Sequence, residues 1–510
     1  MLRVDEITDF QTLRQAAILL EGTVAKLQNQ LAELRLENAL LGGKASKLTQ
    51  MNLLEEQLAR LQSMCFGPAS EKRTKDEQDD SPLGAPQGDS KRAKTGHGPT
   101  AQPRLPMEVV TYELADDDRT CPSCGKPRVP KPGLEQESEL VTVVGVEFKL
   151  EKVKQIVYGC ACPELLVTAP GPDRVTPGGR YSLEFAAFVA EQKYLDHLPL
   201  ARQERMMERN GLDITRTTLW DQVNALADHL EPTWKALHQY TLGADWVHCD
   251  ETYWPMLDGP GTAKWWAWCL ASADSVYYGI HPHRSAKAAR STLADFRGVL
   301  ITDGYGAYQA ALRDGPGHVV HAHCWAHVRR KFLDAEASYP ELAAKPIAWI
   351  GRLFEIERAL PKIDCHASLA ERKPVLEVRR TARETYSRPI TDELRQWGYD
   401  TLPTLLPSTG MAKAVEYMLS LWPGLTVFLT DPRIPIDNNH AEREIRGVVV
   451  GRKNHYGSKS KRGTEVAAIF YSLFESAKLA GVDPKAYVLE AARRAIRAPG
   501  TVTLPVDLLA

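Results

Sequence analysis

The chain of 510 residues contains no run of 18 apolar residues, so no segment reads as a membrane-spanning helix. Charge of neither sign dominates: 63 Lys and Arg stand against 65 Asp and Glu, a formal net charge of −2. Bulk charge therefore announces no partner, and any nucleic-acid surface has to be a local patch. Cysteine is scarce and odd in number, nine in all, with four of them in two tight pairs. That usage argues against a disulfide framework and for a metal site in a reducing cytoplasm. The first residues carry Asp5, Glu6 and Asp9 and lack an apolar signal core. The expectation is a soluble cytoplasmic protein, too long for one core and divided into three or four domains.

What the chain does have begins with a repeat. Leu13, Leu20, Leu27, Leu34, Leu41 and Leu48 recur every seven residues, with Ala17, Val24, Leu31, Asn38 and Ala45 three before the later leucines. This is the a/d pattern of a coiled coil, and Asn38 at an a position favours a parallel two-stranded partner in register. Gly42-Gly43 interrupts it, each glycine costing about 1 kcal/mol. A helix packed on its own chain is the competing reading; six leucines in one register favour oligomerisation over residues 1–66. From 67 to 107 the composition collapses into Asp, Glu, Gly, Pro, Ser, Lys and Gln, a linker that cannot bury enough apolar surface to order itself.

Residues 108–170 hold the two cysteine pairs, Cys121-Pro122-Ser123-Cys124 and Cys160-Ala161-Cys162, separated by 35 residues. Four thiolates close a tetrahedral Zn2+ site, and a closed site is structural. Leu140 to Val157 alternates as two short strands between the pairs, which predicts a small zinc ribbon whose partner is DNA or another protein. Residues 175–242 then read as helices. Arg202, Arg205 and Arg209 run along one of them, and Asp213 to Trp220 looks like a capped helix start. That is either an ordinary bundle or a helix-turn-helix placing Arg216, Thr217 and Thr218 near base edges.

Three distant strings each supply an acidic residue: His248-Cys249-Asp250-Glu251-Thr252, Thr302-Asp303-Gly304-Tyr305 and Asp437-Asn438-Asn439-His440-Ala441-Glu442-Arg443. Asp250 and Asp303 each close an apolar run that reads as a strand, and Glu442 falls in what reads as a helix. Any one of them alone is more often a turn former or a cap. Together they can hold two divalent cations, which activate an attacking oxygen and stabilise the leaving oxygen of a phosphodiester. Mg2+, or Mn2+ in its place, suits such hard oxygen ligands. Glu444 competes with Glu442; residues two apart on a helix face nearly opposite ways, and spacing alone does not choose between them. From His440 to Arg462 seven Lys and Arg stand against two Glu. Arg443, Arg446, Arg452, Lys453, Lys461 and Arg462 thus offer a surface for a phosphate backbone.

These strings, in this order, resemble those of DDE transposases of the insertion sequence 66 family, bacterial mobile-element enzymes. His323-Cys324-Trp325-Ala326-His327-Val328-Arg329-Arg330-Lys331-Phe332, Gly451-Arg452-Lys453-Asn454 and Phe66-Gly67-Pro68-Ala69-Ser70-Glu71-Lys72 extend the resemblance over roughly residues 10–490. Pro68-Ala69 departs from the more usual Arg-Ser, and the stretch after Asn454 is shorter and more polar than in many members. The resemblance implies a ribonuclease-H-like core, selects Glu442 over Glu444, and implies a zinc finger at the cysteine pairs. It also implies small partner proteins encoded by the same element. It places His327 near the DNA, where it supports catalysis by bonding the scissile phosphate or orienting water, or else is a structural histidine; Arg329, Arg330 and Lys331 read as phosphate contacts.

The patterning fits that core. Ala244 to Asp250, Lys264 to Ala271 and Val276 to His281 read as antiparallel strands, Lys287 to Phe296 as a helix, and Gly298 to Asp303 as a fourth strand beside the first. Glu442 follows Asp303 by 139 residues, too many for a loop, so a helical insertion over about 333–425 is expected. The expected architecture is an α/β catalytic core with a mixed sheet and helical insertion over 243–455, a C-terminal helical region over 456–510, and the N-terminal modules above. The expected function is cleavage of double-stranded DNA at element ends and joining of the 3′ ends to target DNA, by a dimer or higher oligomer at the nucleoid. A non-catalytic DNA-binding regulator, or an inactive remnant of a transposase, is the alternative.

Overall fold

The computed structural model describes residues 105–144, 147–160, 166–258, 263–313, 319–364 and 367–509. The leucine ladder, the linker up to residue 104 and Cys162 lie outside the described residues, and the last linker residue, Met107, opens a strand. Residues 105–323 and 437–509 form one compact unit and 324–436 a second. Among the described residues no helix is long and apolar enough to cross a membrane.

The first unit opens with two small sheets. β1 (Met107–Tyr112), β3 (Gln136–Val144) and β4 (Glu147–Gln155) pair in the order β1-β4-β3, while β2 (Val129–Pro130), β5 (Val157–Gly159) and β6 (Val167–Thr168) pair as β2-β5-β6. On β4 the period of two is plain: Phe148 and Leu150 are buried, while Lys149 pairs with Glu108 and Glu151, each at 2.8 Å. Three helices follow, α1 (Leu183–Tyr194), α2 (Leu200–Arg209) and α3 (Arg216–Leu242). α3 is capped by Thr215, whose hydroxyl accepts from Thr218 N, so the cap lies two residues beyond Asp213.

The central sheet contains β7 (Trp246–Met256), β8 (Ala263–Ala271), β9 (Val276–His281), β10 (Val299–Thr302) and β11 (Val320–His323) in the order β11-β10-β7-β8-β9. β7, β8 and β9 are antiparallel; β10 runs parallel to both β7 and β11. α4 (Ala286–Leu293) and α5 (Gly306–Arg313) connect its parallel half. Three differences from the sequence reading stand out. β7 does not end at Asp250 but runs six residues further, because Trp254 and Met256 are buried and keep the alternation going. α5 and β11 were not expected, so Cys324 and His327 follow the fifth strand rather than the fourth. The hairpin β3–β4 is longer than two short strands.

The second unit is helical: α6 (Trp325–Glu336), α7 (Pro340–Ala359), α8 (Leu369–Ala382), α9 (Arg388–Thr401) and α10 (Gly410–Ser420), followed by two one-turn helices. It starts earlier and ends later than 333–425. Its buried Arg383 donates to the carbonyls of Phe428, Asp431 and Ile434 and shares Glu357 with Arg379, so the buried charges are fully bonded.

The chain then returns to the first unit as α11 (Asn439–His455), α12 (Lys461–Leu479) and α13 (Pro484–Arg497). α12 covers the edge strand β9: the amides of Val276 and Tyr278 donate to Ser476 Oγ and Ser472 Oγ, each at 2.8 Å. Two serines four apart on one helix face thereby satisfy donors that an open edge would leave unpaired. Between α11 and α12, Ser458 bonds across to the end of β7: its amide donates to the Pro255 carbonyl at 3.1 Å and its carbonyl accepts from Leu257 N at 2.7 Å. Gly457 (φ +88°) is needed there, since a Cβ would run into the Pro255 carbonyl oxygen.

Candidate active site

Asp250 and Asp303 are brought side by side by register. The parallel ladder between β10 and β7 ends with Ile301 opposite His248, and two residues further along each chain stand Asp303 and Asp250. Asp303 opens the turn that leaves β10: its carboxylate accepts from Tyr305 N at 2.8 Å, and Gly304 N donates to Thr302 Oγ1 at 3.0 Å. Asp250 Oδ1 accepts from Glu251 N at 2.9 Å. Burial pushes the Asp250 carboxyl up to about 7, aided by the charges of Glu251, Asp303 and Glu442. Glu442 sits in the first turn of α11.

Asn438, the residue before α11, fixes that helix to β7. Its side chain is buried; Nδ2 donates to the Cys249 carbonyl at 2.9 Å, which leaves Oδ1 to accept from His248 Nδ1 at 3.1 Å. Burial holds the His248 imidazole down to about 3, so it is neutral and carries its proton on Nδ1. Two residues on, His440 Nε2 meets the Ser272 carbonyl at 2.6 Å at the end of β8. The segment bearing Glu442 is thus clamped to the two residues immediately before Asp250. Glu444 turns elsewhere: burial and Glu475 raise its carboxyl to about 7, and neither aspartate contributes.

Glu251, on the other face of β7, is almost fully buried. It accepts from Arg284 Nε at 2.6 Å and from the Tyr308 hydroxyl. The Arg284 guanidinium stacks over Tyr305 at 3.9 Å from the ring centroid, and Tyr305 donates back to the Arg284 carbonyl. Glu251, Arg284 and Tyr305 therefore pin the turn that presents Asp303. The sequence reading named neither Asn438 nor the Glu251–Arg284 pair as functional. Asn438 and Glu251 lie inside the acidic strings and Arg284 outside them, and only the tertiary contacts reveal their roles.

The other sequence-expected residues divide by location. Arg443, Arg446, Lys453 and Lys461 lie on α11 and at the start of α12, and Arg216 and Thr217 are exposed in the first turn of α3. Arg452 is not a free cation: its guanidinium donates to Thr252 Oγ1 at 2.8 Å and to the Tyr253 carbonyl. Nor is Arg462, which bonds Asn224 and pairs with Asp228 and Glu465. His327, Arg329, Arg330 and Lys331 lie on α6 in the second unit, whose buried stripe is Trp325, Val328, Phe332 and Ala335.

The sulfurs of Cys121, Cys124 and Cys160 lie within 4.8 Å of one another. The knuckle closes as Gly125 N donates to the Cys121 carbonyl at 2.8 Å. Among the described residues no other group of three His, Cys, Asp or Glu side chains is so tight, so the three carboxylates form a looser set. All-oxygen donors of this kind suit a hard cation held partly through water, whereas sulfur donors suit zinc, with Cys121 and Cys124 present as free thiols.

Residues 178–466, from just before α1 into α12, match the model of the family described as Transposase IS66 family. The chain belongs to that family. Relatives in Sinorhizobium fredii (strain NBRC 101917 / NGR234) are similar over most of their length. Uncharacterized protein y4jD is 30% identical over 79% of this chain and 80% of its own. Uncharacterized protein y4hP is 28% identical over 75% and 71%, and uncharacterized protein y4qI 31% over 69% and 66%. The match encloses every residue of the acidic site and the whole helical insertion.

Proposed function

We propose that this transposase-family chain cuts DNA at the ends of a mobile element and joins the freed 3′ hydroxyl to target DNA. The observation that carries the reading is the matching place of Asp250 on β7 and Asp303 just past the end of β10, each two residues beyond the last pair of the parallel ladder, with Glu442 acting electrostatically on Asp250. The strand order, with the antiparallel hairpins on one side of β7 and the parallel pair on the other, supports a ribonuclease-H-like core. Asp250, Asp303 and Glu442 would hold Mg2+ or Mn2+, which would supply polarisation of the phosphodiester and a lowered pKa of the attacking oxygen. Asn438 and His440 hold Glu442 in place, Arg284 and Glu251 hold the Asp303 turn, and Arg443 and Arg446 offer phosphate contacts beside the site. Both chemical steps are in-line displacements at phosphorus, so one set of ligands serves both.

Cys121, Cys124, Cys160 and Cys162 are proposed to hold structural zinc, and the N-terminal leucine repeat to join two copies. The working location is the nucleoid. Purified protein, incubated with Mg2+ and DNA carrying the element's own ends, is expected to cleave that DNA. Asp250→Asn, Asp303→Asn and Glu442→Gln are each expected to abolish cleavage and leave DNA binding intact. Binding without cleavage by the wild-type chain would identify a regulator or remnant instead.

A further inference from the structure

A pocket of about 910 Å³ lies in the first unit, between the starts of α2 and α3, the turn after α11 and the end of β7. Five cations line it, Lys193, Arg202, Arg205, Arg216 and Lys459, and its lining contains no Asp or Glu. For a chain of net charge −2 that is a strong local bias. Among the described residues none of the five side chains is ion-paired, in contrast to the engaged Arg452 and Arg462.

Three helices begin at this pocket. Leu200 and Ala201 open α2 and Ser460 caps α12, so two positive helix ends add to the cations, while at the start of α3 the Glu204 carboxylate accepts from Arg216 N at 2.9 Å. Lys193 is sunk against buried Tyr194, its ammonium 5.2 Å from the ring centroid. Burial with no carboxylate nearby depresses that ammonium to about 8. A buried cation without a counter-ion is the arrangement a phosphate completes. Aromatic faces complement the charge. Trp254 and Tyr194 form the buried base, Trp220 lines the wall, and Tyr456 projects at the mouth, 62% exposed. Tyr456 is held at φ +59°, a left-handed conformation unfavourable for a bulky side chain.

We infer that this pocket binds an unpaired segment of DNA strand, its phosphates on the five cations and a base stacked on Tyr456 or Trp220. A duplex presents its phosphates on a rigid cylinder and keeps its bases stacked inward. A single strand can follow a concave wall down to Lys193 and turn a base onto an aromatic face. Arg216 and Thr217 are thereby read as part of a strand-holding pocket rather than as the base-reading turn of a protruding helix. The inference deepens the strand-transfer reading, on which it rests and whose chemistry generates unpaired ends.

The test uses the full chain and a fluorescent single-stranded oligonucleotide, with the same sequence as duplex and a mononucleotide as competitors. Expected are saturable binding of the single strand, weak competition by duplex and weaker competition by the mononucleotide. The pair Arg202→Ala/Arg205→Ala, with an unchanged melting temperature, is expected to weaken binding about tenfold or more. It is also expected to lower the slope of log K against log salt by about 0.7 for each phosphate no longer neutralised. Tyr456→Asn, which keeps a residue tolerant of positive φ, is expected to weaken binding about tenfold and leave the salt slope unchanged. Equal competition by duplex, or unchanged affinity in both variants, overturns the inference. Cleavage of duplex ends is measured in parallel. Cleavage without single-strand binding removes only this inference, and single-strand binding without cleavage removes only the catalytic reading.

Discussion

Burying the Asp250 carboxyl beside Glu251, with the charges of Asp303 and Glu442 acting on it, raises its pKa to about 7 against an ordinary value of 3.8. The folded protein therefore holds a proton there that the unfolded chain gives up. Stability from this group is fully present below pH ~4 and is lost as pH rises through about 7. At pH 8 and without divalent metal the ionised carboxylate is a liability of about 2–4 kcal/mol. Asp250→Asn is thus expected to melt several degrees above the wild type at pH 8, with the difference shrinking at pH 5, as read by thermal denaturation in EDTA. Adding Mg2+ is expected to raise the wild-type melting temperature at pH 8 and leave the Asn variant nearly unmoved. A variant no more stable than the wild type at pH 8 would mean that Asp250 is solvated well enough to ionise freely. Strain of this kind, tolerated at the proposed catalytic site, is the usual trade between stability and activity.

The element that matters most is α11, because its start decides where Glu442 lies. Asn438→Ala removes both bonds of the clamp and leaves the His248 Nδ1–H and the Cys249 carbonyl buried without partners, a cost of about 2–5 kcal/mol. The variant is expected to melt several degrees lower. Its kcat should fall more than its DNA affinity, since it displaces the proposed metal ligand Glu442 rather than a DNA contact; an unchanged kcat would show that Glu442 is positioned without the clamp. Asn438 was visible in the sequence only as one polar residue in a polar string, because its partners are about 190 positions away. β8, β9 and β10 were legible because they are short apolar runs bounded by turn residues, and β10 ends where Asp303 begins. The second half of β7 was not, since Asp250, Glu251 and Thr252 read as the close of a strand; Glu251 is buried there because Arg284 and Tyr308 bond its carboxylate. β11, Val-His-Ala-His, was not legible because two histidines mask its alternation. Both are held neutral by burial, His321 down to about 3 and His323 to about 4.

At the scale of the whole molecule, two things matter: what holds the small N-terminal sheets together and how copies assemble. The β2-β5-β6 sheet has little apolar core, with Leu114, Tyr158 and Ala169 as its buried cluster, so a metal tie has most to contribute there. Elemental analysis of freshly reduced protein is expected to find one zinc per chain, lost in Cys121→Ser while cleavage-site folding, followed by tryptophan fluorescence, persists. Zinc-free wild-type protein would sink the tetrahedral reading. Assembly is proposed to rest on the leucine repeat. Strand transfer needs two DNA ends held at once, and a parallel pair of helices over Leu13 to Leu48, in register through Asn38, would bring two catalytic units together. Leu27→Glu with Leu34→Glu places two unpaired charges per helix in that seam, which a coiled coil cannot bury cheaply. Light scattering is expected to show the mass falling from dimer to monomer near 56.8 kDa. Pairing of two ends should be lost while binding to a single end is kept. An unchanged mass in the double variant would place the dimer contact elsewhere and leave the repeat as a helix packed on its own chain.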